Sequence, residues 1–149
     1  MKFEVLDDKY LFFTNKIYIF DEEKDISVFL KDMFLIINEV YSLELFGYFK
    51  VDIFIDDKIG AFVEISKLDD YISYSKKIDT KVIINRNSFY FKTKDLSLIY
   101  QYENIYRKDN YYYVSTKDVE NILDLLDFCE IDYRVNEFDL KLWYYINIW

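Results

Sequence analysis

The 149 residues include no histidine, no proline, two glycines and one cysteine, with 21% aromatic residues and a formal net charge of −9. No nucleophile therefore has an imidazole base, zinc sites of Cys and His lack their ligands, and Gly47 and Gly60 stand too far apart for a phosphate-cradling loop. Codons rich in A and T explain the scarcity of Gly, Ala, Arg and Pro, but not the missing His.

With 52% apolar residues, the length points to a single domain, 1–149, with internal halves at 1–68 and 95–149. Cys129 is alone, which excludes an intramolecular disulfide and suits a reducing cytosol. Met1 to Asp8 mixes charge with apolar residues and does not read as a signal peptide. The apolar stretch Met33 to Val40 is broken by Asn38 and falls well short of the ~20 residues of a membrane span. A soluble, cytoplasmic protein is expected.

In chain order, Ile17 to Phe20 reads as a strand leading into a first helix, Glu22 to Tyr41. Its apolar stripe is Ile26, Phe29, Leu30, Met33, Ile37 and Val40, with Asp21 as N-cap. Period-two alternation then gives a hairpin. Phe49, Val51, Ile53 and Ile55 share a face with Ala61, Val63 and Ile65, across a turn at Asp56 to Gly60. Between Lys67 and Lys108 a polar loop precedes strand patterns at Val82 to Ile84, Phe89 to Phe91 and Leu98 to Tyr102. Tyr111 to Val114 reads as a strand. A second helix, Lys117 to Phe128, follows, capped by Ser115 or Thr116 and burying Val119, Ile122, Leu123, Leu126 and Cys129. The chain closes on a predicted hairpin: Ile131 to Val135, a turn at Asn136 to Asp139, and Leu140 to Ile148.

The fold class is α+β: antiparallel sheet or sheets with two helices packed on one face, arranged as two strand-helix-hairpin units. In Asp118-Val119-Glu120-Asn121, leading to Leu125-Leu126 and the hairpin after it, the pattern faintly resembles bacterial adaptors that hand substrates to Clp-type unfoldases. The resemblance rests on ordinary helix and strand residues and carries no assignment.

Carboxylates are the one plentiful reactive class. Asp7-Asp8, Asp21-Glu22-Glu23, Asp56-Asp57 and Asp69-Asp70 could serve a metal or acid–base pair, yet adjacent acids on a strand face opposite ways and no calcium-loop spacing occurs. No cofactor or metal is expected. From Ile72 to Lys108 eight Lys or Arg face three acids, a local +5, which leaves −14 for the remainder. Asp118, Glu120, Asp124 and Asp127 mark the second helix as the sharpest acidic element, suited to a basic partner. Tyr111 and Tyr113 are candidate anchors, because tyrosine joins a large contact area to a polar tip.

These features point to a non-catalytic acidic binding protein. By analogy of type, it would be a phage or mobile-element inhibitor, such as an anti-CRISPR, anti-restriction or toxin-immunity protein, that occludes the basic nucleic-acid groove of a nuclease. Alternatives are an adaptor or structural subunit, a carboxylate and metal enzyme, and a single-stranded nucleic-acid binder using the tyrosines with Lys92, Lys94, Arg107 and Lys108. The global charge opposes the last of these.

Overall fold

A computed structural model of the chain describes residues 2–6, 9–42, 45, 47–69 and 78–143. Among them are ten strands and two α-helices, with short 3-10 turns between. They divide into two compact units, Met1–Ile55 with Gly60–Asn85, and Asp56–Ile59 with Arg86–Trp149. The content is mixed α and β with antiparallel pairing, and strands dominate.

The first unit contains β1 (Lys2–Val5), β2 (Lys9–Thr14), α1 (Glu23–Val40), β3 (Gly47–Asp56), β4 (Gly60–Asp69) and β5 (Ile78–Arg86), with strand order β1-β2-β4-β3-β5. The predicted alternation in β3 and β4 is present: Phe49, Val51, Ile53, Ile55, Ala61, Val63 and Ile65 are all buried in one core cluster. Phe12 of β2 lies opposite Val63 and joins the same face. Onto this cluster α1 brings Phe29, Leu30, Met33, Phe34 and Ile37, and the Phe34 and Phe49 rings lie 5.5 Å apart.

The first helix matches its predicted span within a residue at each end, although Glu22 rather than Asp21 is the N-cap. Val40, expected in the apolar stripe, is exposed, and Phe34 is buried instead. The reason is helical geometry: Phe29, Met33 and Ile37 form one i, i+4 row, Ile26, Leu30 and Phe34 the adjacent one, and Val40 falls in the outward row of Asp32 and Ile36. Ile17–Phe20, predicted as a strand, is a 3-10 turn. A three-residue period puts Ile17 and Phe20 on one side, where both reach the core; a strand would have separated them.

The second unit holds β6 (Tyr90–Thr93), β7 (Ile105–Lys108), β8 (Tyr111–Ser115), α2 (Ile122–Leu126), β9 (Glu130–Asp132) and β10 (Lys141–Trp143), with strand order β10-β7-β8-β6-β9. Its hairpin β7–β8 turns through Asp109 and Asn110, at φ 50° and 70°. Two-residue hairpin loops favour this left-handed backbone, and Asp and Asn tolerate it better than most residues.

Three expectations fail in this unit. The second helix is not continuous from Lys117 to Phe128: Thr116–Asp118 is a 3-10 turn capped by Ser115, and α2 has five residues. Val119 between them adopts φ −101°, ψ 118° and is almost wholly buried, so its insertion into the core interrupts the helix. Of the two helices, α1 belongs to the first unit and α2 to the second. Among the described residues the closing hairpin is not formed either, because β9 pairs with β6 and β10 with β7, on opposite edges of the sheet. A 3-10 turn at Glu137–Asp139, capped by Asn136, carries the chain between those edges. Finally, Leu98 to Tyr102 is a 3-10 turn and loop whose Ile99 alone is fully buried, not a strand. Residues 70–77 and 144–149, on which part of the polar loop and of the last predicted strand fall, lie outside the described residues. No helix among the described residues is long and apolar enough to cross a membrane.

Gly60 opens β4 at φ 132°, and an added Cβ would stand 2.3 Å from the Thr14 carbonyl oxygen and 2.8 Å from Asn15 Cα. Both obstacles are backbone, so neither yields by a rotamer change. Gly60→Ala should lower unfolding free energy by about 2 kcal/mol or more, measured by urea denaturation. A loss near zero would contradict this close approach.

Candidate functional site

The acidic segment starts from a well-anchored point. Asp56, nearly completely buried at the end of β3, accepts hydrogen bonds from the Lys58 N–H at 2.8 Å, the Phe89 N–H at 2.7 Å and the Thr116 hydroxyl at 2.5 Å. The Thr116 N–H also donates to the Phe89 carbonyl at 3.0 Å, and the Lys58 ammonium donates to the Lys117 carbonyl at 3.1 Å. Phe89 enters β6 and Thr116 leaves β8, so one carboxylate ties the start of one strand to the end of its neighbour. In the sequence Asp56 stands out only as half of the Asp56-Asp57 acid pair at a turn; its partners, 33 and 60 residues away, give no local signal.

Register gathers the tyrosines on one face of the second sheet. Tyr113 lies opposite both Lys92 and Tyr106, and Tyr90 opposite Ser115 and Asp132; directly paired residues share a face. Tyr90 meets Tyr106 and Tyr113 edge-on at 6.1 and 6.4 Å. Tyr113, a candidate anchor in the sequence, is only 5% exposed and packs within this face. Alternation assigns half of a tyrosine run to the inside without saying which half. Tyr111 is half-buried, with the Lys92 and Lys94 ammonium groups 5.0 and 5.2 Å from its ring centroid.

Most of the described cations near this sheet have partners within the unit. Lys92 lies 3.8 Å from Glu130 and 3.6 Å from Asp132, Lys108 is 3.8 Å from Asp139, Arg86 is 3.9 Å from Asp57, and Arg107 stands over the Tyr112 ring. This weakens the case for a free basic platform. Lys76 and Lys77, part of the predicted basic stretch, are outside the described residues.

Asp118, Glu120, Asp124 and Asp127 are all exposed, and among the described residues none forms an ion pair. From Asp118 to Asp139 the chain carries eight carboxylates and one base, Arg134, a local charge of −7. The ends of this segment converge electrostatically on Tyr90: burial raises its phenol pKa, and Glu137, Tyr106 and Asp118 raise it further. The Tyr113 phenol is raised by burial first, then by Asp132 and Asp109. Burial likewise pushes the Cys129 thiol up, with a smaller push from Asp95.

Elsewhere, α1 and β5 line a cleft of about 780 Å³ with Ile26, Leu30, Phe34, Leu35, Val82 and Ile84, between Glu23 and Lys31. On the other face of the first sheet the Glu64 carboxylate is buried against the Lys9 ammonium at 2.8 Å, and the nearly buried Asp52 lies 3.5 Å from Lys50. No group of three or more His, Cys, Asp or Glu among the described residues is placed to hold a metal ion. Comparison with protein-family models, curated proteins and solved structures finds no match.

The tyrosines carry a pH consequence. Tyr113 ionises above the ordinary value of 10.0 when folded, so folding favours its neutral phenol. That contribution is whole below about pH 10 and is lost as pH rises through the raised folded value. Tyr113→Phe, which cannot ionise, should lose less stability than wild type between pH 8 and pH 11, read by urea denaturation at each pH. Equal losses in the two proteins would contradict the burial argument.

Proposed function

We propose that this is a non-catalytic binding protein that acts as an inhibitor, its acidic face occupying the basic groove in which a nuclease holds nucleic acid. The observation that carries the reading is the contrast in charge pairing. Asp118, Glu120, Asp124 and Asp127 are exposed and form no ion pair among the described residues, while Lys92 and Lys108 of the same unit already face carboxylates. A cluster of like charges kept in solvent repels itself, and a complementary basic surface relieves that repulsion while speeding encounter. The paired lysines favour this reading over direct binding of nucleic-acid phosphates.

The apolar cleft beside β5 favours a second reading, an adaptor whose main contact is apolar. Salt separates the two. Capture from a native host lysate with tagged wild type and with the double variant Asp124→Lys/Asp127→Lys identifies the partner. The acidic reading expects a nuclease with the wild type alone, and an affinity that weakens about tenfold or more from low to physiological salt. Equal capture by both proteins, or an affinity indifferent to salt, would contradict it.

A further inference from the structure

Apolar side chains are interleaved with the carboxylates of the acidic face. Leu123 is 75% exposed, Phe128 67% and Leu126 39%, within six consecutive residues. The helical turn runs past α2, since the Phe128 and Cys129 N–H groups both donate to the Leu125 carbonyl, at 3.2 and 2.9 Å. Leu125 and Cys129 are buried, along with Val119, and form the inward side. Residues four apart on a helical turn are surface neighbours, so Leu123 adjoins Asp127 and Asp124 adjoins Phe128 on the outward side. Single exposed apolar residues are ordinary, but three within six consecutive residues, alternating with carboxylates around one turn, give the same surface both the apolar and the charged contacts that an interface uses.

We infer that this outward side docks a basic amphipathic segment of a protein partner, with Leu123 and Phe128 against its apolar side chains and Asp124 and Asp127 against its flanking Lys or Arg. The inference rests on the acidic-face reading and adds the chemistry of the partner. Charge complementarity selects a cationic occupant. The exposed leucine and phenylalanine select one that also offers apolar surface, which bare nucleic-acid mimicry does not require. Each carboxylate meets a cation beside an apolar contact that excludes water, where the pairing is screened less than in open solvent.

Two fluorescent probes test this: a Lys/Leu peptide with helical apolar spacing, and an oligolysine of the same charge. Binding is measured by anisotropy in one buffer. Wild type should bind the Lys/Leu peptide about tenfold more tightly than oligolysine. Leu123→Ser/Phe128→Ser should reduce Lys/Leu binding to the oligolysine level and leave oligolysine unchanged, whereas Asp124→Asn/Asp127→Asn should weaken both probes. Val28→Ser, at a residue 53% exposed on α1, should change neither. Should the serine variant fold poorly by circular dichroism, Leu123→Ala/Phe128→Ala replaces it with the same expectations. Unchanged Lys/Leu binding in the apolar variant overturns the inference and leaves the acidic face standing. Unchanged binding of both probes in the Asn variant overturns the acidic reading as well.

Discussion

A carboxylate removed from water must be met by donors, and the second unit is organised around one such group, Asp56. Its oxygens take the Lys58 and Phe89 N–H groups and the Thr116 hydroxyl, leaving the charge buried yet hydrogen-bonded. The Thr116 N–H donates to the Phe89 carbonyl as well, so the beginning of β6 and the end of β8 share one network. Loss of the carboxylate would strand several buried donors at once, which costs more than any single hydrogen bond contributes. The acidic segment follows directly from this anchored end.

From that starting point the unit divides its charges unequally. Lys92, Lys108 and Arg86 lie within ion-pair distance of carboxylates, and Arg107 stands over Tyr112. Exposed pairs of this kind contribute little to stability. Their consequence is electrostatic: the cations are partly neutralised inside the unit, whereas Asp118, Glu120, Asp124 and Asp127 form no ion pair among the described residues. Leu123 and Phe128 among those carboxylates give the same surface an apolar component.

Much of this arrangement is legible in the chain, though unevenly. The first helix and the β3–β4 hairpin are clear because each is long and keeps one period, so a misplaced residue such as Val40 does not spoil the assignment. The second helix is misread because Val119, at a helical position in the pattern, reaches the core through an extended backbone. The β7–β8 hairpin carries a readable signal, Asp109-Asn110 between Ile105-Tyr106 and Tyr112-Tyr113, that helix and strand periods alone overlook. Exposure of the acidic residues follows from their chemistry, whereas the burial of Tyr113 follows from cross-strand register that only the folded sheet supplies. The role of Asp56 is the least legible, since it depends entirely on residues distant in the chain.

Backbone amide exchange in wild type and in Asp56→Ala tests the dependence on this buried carboxylate most directly. Slow exchange at Lys58, Phe89 and Thr116 in the wild type, accelerated about tenfold or more in the variant, is the expected result. Exchange at these amides as fast as in exposed loops, or unchanged by the substitution, would contradict the claim that Asp56 holds the start of the acidic segment in place.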